Sequence, residues 1–199
     1  VMDFVAQLTG KQTVYQMIEL ADQVAKRGGK PLDPLAYKHR YLDLLQHRIE
    51  HRIKELESGA SPDKYLVPGT RRLLEALRDR GMVLYLASGT DEPYMKREAD
   101  LLDVSRYFDG GVYGALDDYK SFSKKILIER ILRESAFRGE EFLGFGDGYV
   151  EIHNGKAGSG TAVAVASDEA GRSGIPDTWK RDRLIGAGAD LVIGDYREH

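Results

Sequence analysis

The chain has 199 residues, a net charge of −3 and a hydrophobic fraction of 42%, which together predict one core domain with a small additional region. The mild charge argues against nucleic acid and against an anionic membrane surface as partners. The sequence contains no cysteine, so disulfides, thiolate catalysis and cysteine-based zinc sites are excluded. No apolar run approaches the roughly 18 residues of a membrane span. We therefore expect a cytoplasmic protein.

Residues 1–64 are expected to be entirely helical. Apolar residues recur three or four positions apart from Val14 to Val24, and again from Leu42 to Leu56. This spacing places them on one face of a helix. Glycines and a Ser-Pro-Asp turn follow these segments, as is typical of helix ends.

Residues 65–199 alternate helical and strand patterns, which indicates a parallel sheet flanked by helices. The apolar segment 82–87 is predicted to be a buried strand that ends before Ser88 and Gly89, with a helix beginning near Asp91. Open α/β sheets bind ligands at the carboxyl ends of their strands, and backbone N–H groups there suit phosphate. Ser88 and Gly89 are therefore candidate phosphate ligands.

Lys124 begins an amphipathic helix that carries apolar residues at helical spacing. A lysine at a helix start is opposed by the helix dipole, so a nearby anion is one explanation for its position. The alternative is a solvated surface charge. Lys125 is the neighbouring candidate cation.

A second apolar strand, from Phe142, runs into Asp147, and Glu151 follows four residues later. Two acids at this spacing beyond a strand end can converge on one hard cation, and Mg²⁺ prefers few carboxylates with water and phosphate completing its shell. Asp147 and Glu151 are the predicted metal ligands. An ordinary strand-terminating turn is the alternative.

In this order, the strand with Ser88, the helix with Lys124 and the strand with Asp147 and Glu151 resemble the second, third and fourth motifs of the haloacid dehalogenase superfamily of phosphohydrolases. An Asp is commoner in that family at the position of Glu151. The resemblance covers residues from about 67 to the C-terminus. It implies a Rossmannoid parallel sheet at 65–199, with an all-helical cap at 1–64 as in phosphoglycolate phosphatase-like members.

The resemblance also implies a function. The intact protein would be a Mg²⁺-dependent phosphatase that hydrolyses a small phosphorylated metabolite, such as a sugar phosphate or phosphoglycolate-like compound, through a phospho-aspartyl intermediate. Ser88 and Gly89 would bind the phosphoryl group, Lys124 would neutralise it, Asp147 would bind Mg²⁺ and Glu151 would hold the metal shell. Lys124 is preferred to Lys125 because the apolar residues that follow it stand at the family's helical offsets.

The segment Gly10-Lys11-Gln12-Thr13 lies where cap-bearing members of this family carry a loop that faces the active site. By that resemblance Lys11, Gln12 and Thr13 are candidates for substrate specificity. A helix N-cap with solvated polar residues is the alternative. A nucleotide phosphate loop is rejected, because the upstream glycine and the preceding strand are absent.

The family's first motif, Asp-x-Asp-Gly-Thr, which carries the nucleophile, is absent from the sequence. The nearest strings contain Asp109 and the pair Asp117-Asp118, and neither follows an apolar strand. We expect the nucleophile to lie upstream of Val1; a natural pseudoenzyme is the alternative. The first-motif strand lies mid-sheet in the family, so we predict a gap beside the strand at 83–87, or a segment from elsewhere filling it.

Three other functions are weighed. A phosphomutase of the same superfamily and a catalytically inactive phosphate-binding module would use the same residues. The string His47-Arg48-Ile49-Glu50-His51 matches an inverted zinc-peptidase pattern, but the two histidines fall on the charged face of their predicted helix. A solvated helix face is therefore the preferred interpretation of that string.

Overall fold

The computed structural model of the chain describes residues 11–119, 123–134, 138–157 and 159–197. The helices and strands of these residues follow in chain order: α1 (Thr13–Lys26), α2 (Pro34–Glu57), α3 (Thr70–Asp79), β1 (Tyr85–Asp91), α4 (Glu92–Leu101), β2 (Gly111–Ala115), α5 (Lys124–Glu134), β3 (Leu143–Gly146), α6 (Tyr149–Ala157), β4 (Thr161–Val165), α7 (Thr178–Gly186) and β5 (Leu191–Ile193). Short 3-10 helices occur at Pro62–Lys64, Ser105–Tyr107 and Gly139–Glu141.

The long helix α2 begins where local chemistry predicts. The Asp33 carboxylate accepts a hydrogen bond from the Leu35 N–H at 2.9 Å, and Pro34 occupies the first helical turn. An aspartate cap satisfies an N–H group that the helix leaves unpaired, and proline at this position has no N–H to lose. α1 packs against α2, and the part of residues 1–64 that the structure describes contains no strand.

The strands form two parallel sheets. β1 pairs with β2 in one, and β3, β4 and β5 pair in that order in the other. Helices cover them, with α4 and α5 against the first sheet and α6 and α7 against the second. The predicted α/β class, with parallel strands flanked by helices, is confirmed.

The predicted gap is present between the two sheets. In the described ranges, β1 and β3 are not paired with each other, and each has one strand partner. α5 bridges the two sheets, because its buried residues Leu127 and Ile131 pack on Tyr85 and Ala87 of β1 while the same helix contacts α6. The sheets are therefore joined at this point by helices rather than by a strand ladder.

The predicted end of the strand before Ser88 is wrong. Ala87 pairs with Tyr113 and Asp91 pairs with Ala115, so the strand continues to Asp91 with an irregularity between the two pairs. Three residues of β1, from Ser88 to Thr90, thus stand opposite the single residue Gly114. A bulge of this kind keeps a strand going after its apolar run has stopped, which is why the apolar pattern placed the end too early.

Each sheet has its own hydrophobic cluster. Leu74, Leu84 and Ala99 form the centre of the first, between β1 and its helices. The second surrounds β4 and consists largely of small residues, with Ile152 and Leu184 supplying the volume. The region after β5 connects the two, since the Tyr196 N–H donates to the Pro68 carbonyl at 2.9 Å, just before α3.

In the described ranges, no helix combines the length and the apolar character that crossing a bilayer requires.

The neighbouring residues Leu184 and Ile185 on α7 test the second cluster. Leu184 is 0% exposed and Ile185 is 54% exposed. We expect Leu184→Ala to lower the free energy of unfolding by about 2–5 kcal/mol, because it leaves a cavity in the cluster. The matched control Ile185→Ala should change it by only about 0.5 kcal/mol. Equal losses in chemical denaturation would show that α7 does not pack as described.

Candidate functional site

A cavity of about 420 Å³ lies between α1, the bulge of β1 and the first turns of α5 and α6. A volume of this size suits a small ligand. The cavity is lined by Lys11, Gln12, Tyr15, Ser88, Gly89, Ser123, Lys124, Lys125, Tyr149, Val150, His153 and Asn154. Three lysines and no carboxylate are in this set, so the cavity favours an anion.

The structure brings most of the sequence-predicted site residues to this one place. Ser88, Gly89 and Lys124 line the cavity from the core, and Lys11 and Gln12 line it from the helical region. Thr13 begins α1 but does not line the cavity. Asp147 and Glu151 do not line the cavity. Glu151 nevertheless contacts the lining residue Lys124.

The bulge at Ser88–Thr90 differs from the expected row of free N–H groups. The Ser88 hydroxyl accepts a hydrogen bond from the Thr90 N–H at 3.1 Å, so that N–H group already has a partner. A Cβ at Gly89 would stand 3.0 Å from the Lys11 carbonyl oxygen. A side chain at this position would therefore force the backbone before α1 to shift away from the bulge by a few tenths of an ångström.

Lys124 and Glu151 form an ion pair that connects α5 with α6. The Lys124 ammonium donates to Oε1 of Glu151, and the two side chains are only 11% and 16% exposed. The other carboxylate oxygen of Glu151 is buried and has no hydrogen-bond partner among the described residues. A buried, unsatisfied carboxylate oxygen is costly, so this oxygen is well suited to bind a cation or a water molecule.

Gly146, the last residue of β3, makes the position of Glu151 possible. A Cβ at Gly146 would collide with the Cβ and Cγ atoms of Glu151. The absence of a side chain lets the first turn of α6 fold back over the end of the strand. The Gly-Asp sequence thus serves this close approach as well as the turn.

Asp147 directly follows β3 and is exposed. Burial, together with the negative charge of Asp147, raises the pKa of Tyr196 to about 12. Tyr196 is therefore a protonated hydroxyl in the ordinary pH range. The Asp147 carbonyl accepts a hydrogen bond from Arg183 at 3.1 Å, which holds the loop between β3 and α6.

Two carboxylates, Asp147 and Glu151, are the acids that the fold presents at this strand end. Within the described ranges, no group of three or more histidine, aspartate or glutamate side chains is arranged to hold a metal ion. A pair of carboxylates still fits Mg²⁺, which keeps several waters and binds substrate oxygens. The unsatisfied oxygen of Glu151 supports this fit.

Six lining residues were missed by the sequence analysis: Tyr15, Ser123, Tyr149, Val150, His153 and Asn154. Tyr149 and His153 stack with ring centroids 5.6 Å apart and an interplanar angle of 13°. Their spacing of four residues on α6 is a signal for a shared helix face. This spacing could have identified both residues as site candidates, because their helix begins just after Asp147.

A buried ion cluster was also missed. Lys38 on α2 is 0% exposed, and its ammonium lies 2.7 Å from Oδ2 of Asp91 and 2.7 Å from Oδ1 of Asp117. Burial would lower the pKa of Lys38, but hydrogen bonds and charge attraction from both aspartates outweigh it and raise that pKa. The hydrogen bond from Lys38 in turn lowers the pKa of Asp117.

Two of the aspartates in the strings nearest to the first motif form hydrogen bonds or ion pairs within the fold. Asp109 accepts a hydrogen bond from the Leu84 N–H at 3.1 Å, just before β1. Asp117 binds Lys38. Neither lines the cavity.

The two histidines of the zinc-peptidase string are exposed on α2. Nδ1 of His47 pairs with the Asp43 carbonyl at 2.8 Å, and Nδ1 of His51 pairs with the Arg48 carbonyl at 3.1 Å. Backbone contacts on a solvated face agree with the preferred interpretation of the string.

Solved structures with a similar fold include the predicted phosphoglycolate phosphatase of Haemophilus somnus (14% identity, 98% of this chain, 79% of that chain, TM-score 0.63). A predicted phosphatase from Clostridium acetobutylicum (14%, 98% and 78%, TM-score 0.62) is another. A third is the β-phosphoglucomutase of Clostridium difficile (14%, 98% and 76%, TM-score 0.59). At this identity the likeness shows the fold.

Sequence comparison gives the family. No curated protein sequence matches this chain significantly. The model of the haloacid dehalogenase-like hydrolase family, in contrast, matches residues 6–158. The predicted family and the predicted hydrolase class are confirmed: the chain belongs to the haloacid dehalogenase-like hydrolases.

Proposed function

We propose that the intact protein is a Mg²⁺-dependent phosphatase that acts on a small phosphorylated metabolite through a phospho-aspartyl intermediate. The observation that carries the proposal is that Ser88, Gly89 and Lys124 all line the same cavity. Phosphoryl transfer depends mainly on positioning and on neutralising negative charge. The cavity offers both, with a hydroxyl and a glycine backbone on one wall and a mostly buried ammonium on the other.

Lys124 can serve the phosphoryl group without leaving Glu151. An ammonium has three N–H donors, and Glu151 takes one of them. Glu151 is the partner of this ammonium in the described ranges, which leaves a second donor for a phosphoryl oxygen at the cavity wall. The ion pair would thus hold the Lys124 ammonium in place before the substrate arrives, which saves the cost of ordering a long side chain.

Asp147 and Glu151 are the residues that would hold Mg²⁺. When bound, the ion would supply positive charge to the phosphoryl oxygens. Asp147, exposed at the end of β3, would be the direct ligand. Glu151 would orient the shell through its second oxygen, the one without a hydrogen-bond partner in the described ranges.

The nucleophile would come from an Asp-x-Asp segment upstream of residue 1 that occupies the gap between β1 and β3. Two observations support this placement: each of these strands has one partner in the described residues, and the cavity lies beside β1 and the start of α6, where such a strand would end. The first aspartate would attack phosphorus as the leaving oxygen takes a proton from the second. Water would then hydrolyse the acyl phosphate, releasing inorganic phosphate and regenerating the aspartate.

Substrate selection would come from the helical cap, proposed to span residues 1–64. Lys11 and Gln12 line the cavity together with the phosphate-binding residues, and Tyr15 lines it as well. Thr13 remains a specificity candidate by position in the sequence. A sugar phosphate or a phosphoglycolate-like compound is the proposed class, in keeping with a predicted phosphoglycolate phosphatase among the similar folds. A cytoplasmic location remains a prediction.

A phosphomutase is the second candidate, favoured by the similar fold of the Clostridium difficile β-phosphoglucomutase. The first half of the reaction would be the same, but the phosphoryl group would return to a sugar hydroxyl rather than to water. The two differ in whether inorganic phosphate accumulates in stoichiometric amounts.

The nucleophile assignment predicts the behaviour of the chain by itself. A polypeptide of these 199 residues should hydrolyse neither p-nitrophenyl phosphate nor sugar phosphates above background, because covalent catalysis needs a positioned acceptor. Adding the upstream segment, in cis or as a complementing peptide, should restore Mg²⁺-dependent turnover, measured as phosphate release. Robust turnover by the 199 residues alone would contradict the assignment, and Asp109, Asp117 and Asp118 would be the next residues to substitute.

The metal assignment predicts two different losses in the active, intact protein. Asp147→Asn should abolish Mg²⁺-dependent turnover without lowering the melting temperature, since Asp147 is exposed. Glu151→Gln should cost about 10–100-fold in kcat, as typical for residues that orient a metal shell. Asp182→Asn, an exposed acid on α7, is the matched control. Full activity of Asp147→Asn at ordinary Mg²⁺ concentration would rule out Asp147 as the ligand.

A further inference from the structure

The buried ion cluster of Lys38, Asp91 and Asp117 has no part in the proposed chemistry, and none of its members lines the cavity. Lysine is rarely buried completely, because its ammonium is strongly hydrated. Lys38 is nevertheless 0% exposed, in a helix whose next two residues are exposed. Two carboxylates at 2.7 Å each compensate the charge.

The cluster joins three separate parts of the chain. Lys38 lies near the start of α2, in the proposed cap. Asp91 ends β1 directly after the bulge that carries Ser88. Asp117 lies in the segment that leaves β2 and leads toward α5. One ammonium therefore holds the helical region against two core segments that border the cavity.

The same core segment also holds α1. The Gln12 side-chain amide donates to the Tyr119 carbonyl at 3.3 Å, and the rings of Tyr15 and Tyr119 meet edge to face with centroids 5.5 Å apart. Both helices of the described cap region thus rest on residues 117–119. We call residues 117–119 together with Asp91 the cap seat.

We infer that Lys38 is a positioning residue that locks the cap onto the cap seat and thereby fixes Lys11 and Gln12 over the cavity. This inference rests on the proposed function for its effect on catalysis, but not for its effect on structure. A buried ion pair stabilises one arrangement because a shifted partner leaves an unpaired charge. An apolar contact would tolerate sliding, whereas the ammonium reaches both carboxylates in one position of α2.

The ion cluster is neither fully enclosed nor fully hydrogen-bonded. Oδ1 of Asp91 is buried without a hydrogen-bond partner in the described ranges. Asp117 is largely exposed, so water reaches one side of the cluster. An ion pair open to water on one side separates at lower cost than one enclosed by protein. Separation of Lys38 from the cap seat is therefore less costly than it would be in a fully enclosed cluster.

Amide hydrogen exchange of the intact protein tests the structural part directly, with no need for turnover. Lys38→Met should speed exchange in peptides 11–19 and 113–119 by about tenfold or more, because local opening sets these rates. Peptide 161–166, in β4, should keep its protection. Lys54→Met is the matched control: it lies on the same helix and pairs with Glu50 at 2.7 Å, but is 69% exposed. Lys54→Met should leave the exchange rates of peptides 11–19 and 113–119 unchanged.

Two further variants keep the test decisive if Lys38→Met does not fold. Asp117→Asn removes the more exposed carboxylate and should raise exchange in peptide 11–19 while the protein melts cooperatively. The triple variant Lys38→Met/Asp91→Asn/Asp117→Asn removes all three charges, so it should fold yet keep fast exchange in that peptide. Unchanged exchange in a folded Lys38→Met or in Asp117→Asn, or full protection in the triple variant, would overturn the lock.

The catalytic part is tested in the intact, active protein. With a sugar phosphate, Lys38→Met should lower kcat/KM by about tenfold or more, since a misplaced cap loses its contacts to the leaving group. Acetyl phosphate is too small to contact the cap. Its kcat/KM should therefore fall by less than about threefold, because no binding energy from a remote part of the substrate is lost. Equal losses with both substrates would overturn the positioning role. Absence of any phosphatase activity would instead refute the proposed function and leave the exchange result standing.

Discussion

The ion pair between Lys124 and Glu151 is the contact on which the site depends. It joins α5, which packs on the first sheet, to α6, which packs on the second. The two sheets are not connected by strand pairing in the described ranges, so their relative position at the cavity is set by helix contacts and by this pair. Because both side chains are mostly buried, the pair is little screened by solvent. Its geometry fixes a cation on one wall of the cavity and a carboxylate next to the expected metal position.

Two carboxylates of the molecule keep a buried oxygen without a partner in the described residues, Glu151 beside the cavity and Asp91 in the cap seat. Unsatisfied buried oxygens are rare in folded proteins and lower stability. Both occur next to lysines that hold the other oxygen. Such local costs are expected at functional sites rather than elsewhere. In the proposed enzyme, one of these oxygens would face the metal, and the other belongs to the cap seat.

Much of the site could be predicted from local sequence. The apolar runs located β1 and β3, and Asp147 directly follows β3 as predicted, whereas Ser88 lies within β1 rather than beyond its end. Lys124 was identified because its position at a helix start contradicts the helix dipole, and the structure begins α5 there. The roles of these residues came from the order of the motifs, since each motif alone is compatible with an ordinary turn or a surface charge.

The rest could not be predicted because it depends on contacts between distant residues. Lys38 and Asp117 are 79 residues apart, and in the sequence Lys38 is one charge among several on a polar helix. The bulge at Ser88–Thr90 is set by pairing with β2, which the apolar pattern does not encode.

The trapping of a phosphorylated aspartate tests the central claim most directly. Borohydride reduction of the intact protein during turnover, followed by peptide mass spectrometry, should locate the acyl phosphate on the Asp-x-Asp segment proposed for the gap, and Lys124→Met should abolish it. An active protein with no trapped aspartate, or with the label on Asp109 or Asp117, would contradict the account.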